Sequence, residues 1–347
     1  MVDIILSEVP CSTAKEFLQA LSPLGQNFEN ELFNSPWMFC GQANDWPLIP
    51  SLFRKDPPAR ELLKSFTNRD LDDISSLLLV ERDLLVEFFE IADKRGLIIP
   101  DDSQELRNFL ESVKKLDDHV RTGDWKGRIK DKALSLMALA QHYGVPTRLL
   151  DWTRQAYFAA FFAADGASKI IGDGDFDPND RMVVWAFYFP DLGKQDEDAK
   201  KYDPINIVTA PKATNTNLKA QQGIFSLLNS VYLRDFSGEK YTGYILSDLV
   251  GSMSEIQYFN DSKGIFPPLD EFLKKLAQEG HTLPLLSKER ERLVELVYNI
   301  KLRKFTLPIS ESQTLLYSLS KLDVMPSTIY PGYQSVVSDM KIYKPWK

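Results

Sequence analysis

Cysteine and histidine are scarce: Cys11 and Cys40, with His119, His142 and His281, are all that 347 residues contain. Two thiols build no disulfide framework and suit a reducing cytosol. Three histidines so widely spaced argue against a zinc site, and with it against metallohydrolases of the His-rich kind. No apolar run of about 18 residues is free of charge, and Met1–Pro10 has no basic stretch ahead of its apolar residues. Neither a membrane span nor a signal peptide is therefore expected, and the chain reads as cytoplasmic. A basic excess is missing too. With 41 Lys and Arg against 49 Asp and Glu, the net charge is −8. General attraction to nucleic acid or anionic lipid is excluded, so any nucleic-acid contact must rest on a local patch. Internal repeats and low-complexity tracts are also absent.

What is present is ordinary soluble composition, 44% hydrophobic and 26% charged, over a length sufficient for one large or two ordinary domains. Thr13 with Glu16 predicts a capped helix over 14–21. Residues 35–42 (SPWMFCGQ) read as a buried strand ending at Gly41, and 44–54, with two prolines, as an extended segment. Helical spacing predicts helices over 71–95 and over 103–116, the second boxed by Asp102 and Glu105. Residues 182–190 (MVVWAFYFP) read as a central strand, and 205–210, 224–228 and 298–307 as further strands. Polar helical residues over 215–222, an amphipathic helix over 268–278 and a helix over 311–322 complete the pattern. The order points to an α+β fold, helices packed around a modest mixed β-sheet.

The densest signal lies in Ala133–Ala164 (ALSLMALAQHYGVPTRLLDWTRQAYFAAFFAA). Two very apolar helical patterns flank Gln141, His142, Tyr143, Thr147, Arg148, Asp151, Trp152 and Thr153. Flanks this apolar must be buried, so the polar run is either an internally paired staple, with Arg148 bound to Asp151 over a core Trp152, or the lining of a pocket. Other constellations are weaker. Asp173, Asp175, Asp177 and Asn179 alternate like a calcium loop, but Pro178 and Val184 stand where glycine and a bidentate glutamate belong, so a solvated loop is expected. No G-x-S-x-G elbow exists. Cys40 and His142 suggest a thiol–imidazole pair, yet nothing nearby lowers the thiol pKa. The strand end at Gly41 lets a group approach the backbone; with Tyr143 for stacking and Gln221 and Gln222 as neutral amides, it suits a nucleotide with a planar amide head group. Arg54, Lys55 and Arg60, and Lys301, Arg303 and Lys304, supply local positive charge.

Met38–Arg54 (MFCGQANDWPLIPSLFR), Met137–Ala164 and Asn217–Leu227 (NLKAQQGIFSL) resemble, in order and spacing, the FRG-domain family, named for a Phe/Tyr-Arg-Gly motif. The C-terminal residues 300–333 resemble the usual ending of such proteins. One departure stands out: Cys40 occupies the place of the motif arginine, a planar cation able to grip phosphate or carboxylate at two points. The resemblance implies a toxin or anti-phage defence component, with an antitoxin or neighbouring defence protein as partner and nucleic acid or protein as target. It is similar in its first motif to ADP-ribosyltransferases. Cys40 and Gly41, then Tyr143, then Gln222 would line an NAD site, with no metal, in an ADP-ribosyltransferase-like core. Gln42, Ser51, Arg54, Thr147, Arg148, Asp151 and Trp152 would help hold NAD, and His142 would assist catalysis.

The implied chemistry breaks the nicotinamide–ribose bond as positive charge develops. A glutamine in the third position orients an acceptor without deprotonating it. Cys40 implies a weakened or silenced site. The rivals are a metal-independent nuclease, with His142 as acid or base and Arg148 on phosphate, and a non-catalytic module that only binds a nucleotide or partner. The expected organisation is a lead-in over 1–34, an FRG domain over 35–260 with a helical insertion at 57–130, and an α/β extension over 261–347 on the same core.

Overall fold

The computed structural model describes residues 6–28, 37–55, 57–115, 131–174, 176–189, 205–209, 220–228 and 300–343. The helix expected over 268–278 and most of the polar turn over 215–222 lie outside them. Strand β1 (Leu6–Pro10) and helix α1 (Ala14–Ala20) open the chain, followed by β2 (Trp37–Gln42) and a single 3-10 turn, Ser51–Phe53. Four helices follow: α2 (Pro57–Phe66), α3 (Ile74–Lys94), α4 (Gln104–Lys115) and α5 (Asp131–His142). Next come β3 (Leu149–Thr153), α6 (Ala156–Asp173), β4 (Arg181–Tyr188), β5 (Ile205–Val208), β6 (Gly223–Leu228) and β7 (Lys301–Pro308). The chain closes with α7 (Ser312–Ser320), α8 (Pro326–Ile329) and α9 (Tyr333–Tyr343).

The strands form one mixed seven-stranded sheet in the order β1-β7-β4-β2-β3-β6-β5. Among the described strands only β1 with β7 is parallel; the other neighbours run antiparallel. The fold is α+β, as its sequence pattern implies, and strands from near both ends of the chain share the sheet with the central motifs. Alternation along β2 divides its side chains between two cores. Trp37 and Phe39 join α1, α6, α7 and α8 on one face. Met38 and Cys40 face the layer built from α2, α3, α4 and α5. Central strand β4 is buried along Met182–Phe187, which is why it reads as a nearly continuous apolar run.

Helix α6 lies unusually close to the sheet because its inner face is alanine: Ala159, Ala160, Ala163 and Ala164 are fully buried. Opposite them, a Cβ added to Gly41 would stand 1.9 Å from the Ala159 carbonyl oxygen and 2.9 Å from the Ala163 nitrogen. Glycine is required at position 41 for helix–strand packing. Farther along, Gly166 meets Ala43 the same way, 2.8 Å from its Cβ.

Local chemistry sets most helix starts. The Thr13 hydroxyl accepts from the Glu16 amide, while the Glu16 carboxylate accepts from the Ser12 amide, so the box closes one residue earlier than its sequence pattern implies. Asp73 caps α3 through the Ser76 amide. For α4 the capping oxygen is that of Ser103, not Asp102; Asp102 instead joins Asp93 in gripping Arg107. Four elements have no counterpart in the sequence expectations: the edge strand β1, the strand β3 within the polar run, and helices α8 and α9; α2 falls in the expected helical insertion without bounds of its own. Among the described residues no helix is long and apolar enough to cross a membrane.

Candidate functional site

The three motif segments of the sequence supply three adjacent strands. Met38–Arg54 contributes β2, Met137–Ala164 contributes β3, and the segment ending at Leu227 contributes β6. Between β2 and β3 the sheet is barely joined. β2 pairs with β4 along all six of its residues, but it meets β3 only where Phe39 stands opposite Thr153. The next antiparallel rungs, Cys40 with Trp152 and Gly41 with Asp151, are not made, so the strands part beyond Phe39, and we read the gap between Cys40–Gln42 and Asp151 as a recess.

One hydrogen-bonded chain builds the wall of this recess. The Ser51 hydroxyl donates to the Thr147 carbonyl at 3.1 Å and accepts from the Thr147 amide at 3.0 Å; the Leu52 amide donates to the same carbonyl. The Thr147 hydroxyl then donates to Gln141 Oε1, and Gln141 Nε2 donates to Asp151 Oδ2 at 2.6 Å. The result is a carboxylate held at the end of a polar chain, exposed to solvent yet closely flanked by protein. Burial pushes the Asp151 carboxyl up to about 6, against the opposing pull of the Gln141 hydrogen bond and the Arg54 charge. Arg54 is exposed at the lip, its Nε donating to the Ile49 carbonyl at 2.8 Å.

Cys40 lies on the opposite lip. Burial pushes its thiol up to about 12, the neighbouring Asp151 adds to this, and Arg54 opposes it. Burial thus favours the protonated thiol and works against a thiol–imidazole pair at Cys40.

Several of the expected site residues turn out to be structural. Arg148 does not pair with Asp151. It is buried, 2.9 Å from Glu81 Oε2 through its Nε, and its amide donates to Glu81 Oε1 at 2.8 Å. With both partners inside the core, Arg148 cannot present its guanidinium to a phosphate. Trp152 is buried, its indole donating to the Ser226 hydroxyl at 2.8 Å, so it is core and not a stacking platform. Gln42 is braced between the Trp185 indole at 2.9 Å and the Pro47 carbonyl at 3.4 Å. The group that approaches Gly41 closely is the protein's own α6, not a ligand.

His142 ends α5 and Tyr143 follows it, their rings edge to face at 5.2 Å. Tyr143 is 71% exposed, and partial burial pulls the His142 imidazole below its usual range. Both stand just past Gln141, outside the Ser51–Thr147–Gln141–Asp151 chain. Gln222 immediately precedes β6 in a left-handed conformation, φ 50°, with its Oε1 accepting from Gln155 Nε2 at 3.1 Å. It flanks β3 at the Thr153 end, two residues along the strand from Asp151.

Sequence reasoning missed Glu81 and the weight of Gln141. Glu81 had a visible signal, an acid in the midst of the apolar run LLLVERDLLV. The β-strand cations also find structural work: Lys301 lies over the Tyr188 ring at 5.6 Å and Arg303 over Trp37 at 5.0 Å, while Lys304 reaches Asp45 at 2.6 Å.

A mixed α+β sheet with its motif strands side by side around a polar recess defines the class. Residues 35–170 match the family model of the FRG domain. No curated protein and no solved structure matches it.

Proposed function

We propose that the recess between β2 and β3 is an ADP-ribosyltransferase-like site, handicapped by Cys40, in a toxin or defence effector. The observation that carries this is the solvent-open Asp151 carboxylate, raised to about 6 and fixed by Gln141, beside the vacated arginine position at Cys40. A carboxylate poised near neutral pH suits a general base.

The residues present fit NAD in part. Arg54 is an exposed cation suited to a diphosphate, but the Ser51 and Thr147 hydroxyls are already bonded within the protein, and Cys40 brings no charge where the family motif has arginine. When bound, NAD would supply an ADP-ribosyl group through loss of nicotinamide from the ribose. Asp151 would take the proton of the acceptor nucleophile at a carboxylate oxygen while Gln141 holds the carboxylate in place. Gln222, already bonded to Gln155, would orient the acceptor without removing its proton. Arginine at position 40 would add the cation that faces Asp151 and the incoming phosphates.

The test uses purified wild type, Cys40→Arg and Cys40→Arg with Asp151→Asn, each incubated with NAD and cellular RNA. The arginine variant is expected to release free nicotinamide above the wild-type level, and the added Asp151→Asn to remove about 10²-fold or more of that gain. Shortened RNA without nicotinamide would overturn this in favour of a nuclease, and NAD binding without turnover in favour of a non-catalytic module.

A further inference from the structure

A second feature lies next to the recess, on the helical layer. A cleft of about 330 Å³ is lined by Lys55, Arg60, Glu61, Lys64, Leu71 and Asp72. It begins one residue after Arg54, so consecutive side chains of the same segment serve the recess and the cleft. Arg60 is the informative residue. It is only 7% exposed, and one arm of its guanidinium is committed, Nη1 donating to the Leu71 carbonyl at 2.6 Å. The other arm, Nη2, is buried and has no hydrogen-bond acceptor among the described residues. Its nearest carboxylate oxygen, Asp72 Oδ1, is 3.6 Å away, beyond hydrogen-bond reach, and that same oxygen lies 3.6 Å from Lys55 Nζ.

A buried guanidinium donor left without an acceptor is costly, more so than a neutral one. Asp72 relieves this poorly, since its side chain is 72% exposed and a solvated pair at this distance contributes little. A group with several anionic oxygens at the same point would bond Nη2 directly, keep Lys55, and reach Lys64. Glu61 and Asp72 oppose it, so three cations face two carboxylates, and Asp72 must swing aside.

We infer that this cleft binds a phosphate group, with Arg60 as the buried anchor, Lys55 and Lys64 as flanking cations and Asp72 as a displaceable stand-in for the ligand. The inference does not depend on NAD chemistry in the recess. It holds for a phosphate carried by a small nucleotide or by a nucleic-acid strand, because the chemistry recognised is the same.

The experiment is calorimetric titration of the full chain with pyrophosphate at low salt, without NAD. Binding is expected, weakened about tenfold or more by Lys55→Gln with Lys64→Gln, two exposed positions that leave folding intact. Asp72→Asn is expected to tighten binding several-fold. Arg60→Lys keeps the charge but loses the fork, and is expected to weaken binding while circular dichroism stays unchanged. A parallel titration with short single-stranded RNA distinguishes the sources: tighter, steeply salt-dependent binding assigns a strand, equal or weaker binding a terminal phosphate. No binding of either probe, or binding that the lysine pair and Asp72→Asn leave unmoved, overturns the proposal. Failure of nicotinamide release alone bears only on the recess.

Discussion

Asp151 concentrates the chemistry of this molecule because protein surrounds it without sealing it. A carboxyl raised from 3.8 to about 6 holds a proton in the folded chain that it has lost in the unfolded one over that interval. Stability must therefore fall as pH rises from about 4 to about 6, and the loss persists above that window. Asp151→Asn removes the titration. Its urea midpoint relative to wild type is expected to rise between about pH 4 and pH 7, the reverse of what a salt-bridged carboxylate gives. A difference unchanged with pH would mean that Asp151 is not desolvated. At this scale the sequence is partly legible. Asp151, Arg54 and Thr147 announce themselves as polar residues between greasy flanks, and Cys40 as a departure from its motif. That Gln141 would reach Asp151 across a turn, and that Arg148 would turn inward, depend on backbone geometry and on Glu81, 67 positions away along the chain.

At the scale of elements, the Glu81–Arg148 pair ties the middle of α3 to the entry of β3. A buried ion pair is costly to assemble and costlier to break, because the survivor is left charged in the core. Glu81→Gln is expected to destabilise the fold by about 3–5 kcal/mol. Replacing both residues, Glu81→Leu with Arg148→Met, is expected to recover most of that loss, as read by denaturant midpoints. A double variant as unstable as the single one would give the pair a net stabilising role beyond avoiding an orphan charge. Strands such as β4 are evident in the sequence because burial on both faces writes a run of apolar residues. β3 is not: LLDWT is too short to show a period and sits inside the polar stretch. α9 follows the Pro-Gly of TIYPGY, which reads as a loop signal.

At the scale of the whole molecule, one sheet with helices on both faces predicts a gradient of protection. Native-state hydrogen exchange is expected to be slowest in β4, flanked on both sides and buried throughout, and faster in β1 and β5, which end the sheet among the described residues. Equal rates across the strands would contradict a single cooperative sheet. The overall class was legible because alternating strand and helix patterns survive averaging over many residues. The strand order was not, since it depends on pairings between segments as distant as Leu6–Pro10 and Lys301–Pro308.

The lone rung between Phe39 and Thr153 has a mechanical corollary. It makes the sheet two half-sheets, four strands and three, stitched at a single point, with β2 and β3, both inside the matched residues 35–170, along the seam. A guest lodged there and bonded to both margins would substitute for the missing stitches, coupling the motion of the halves. Occupancy would then be felt as stiffening across the entire fold, well away from any atom the guest touches.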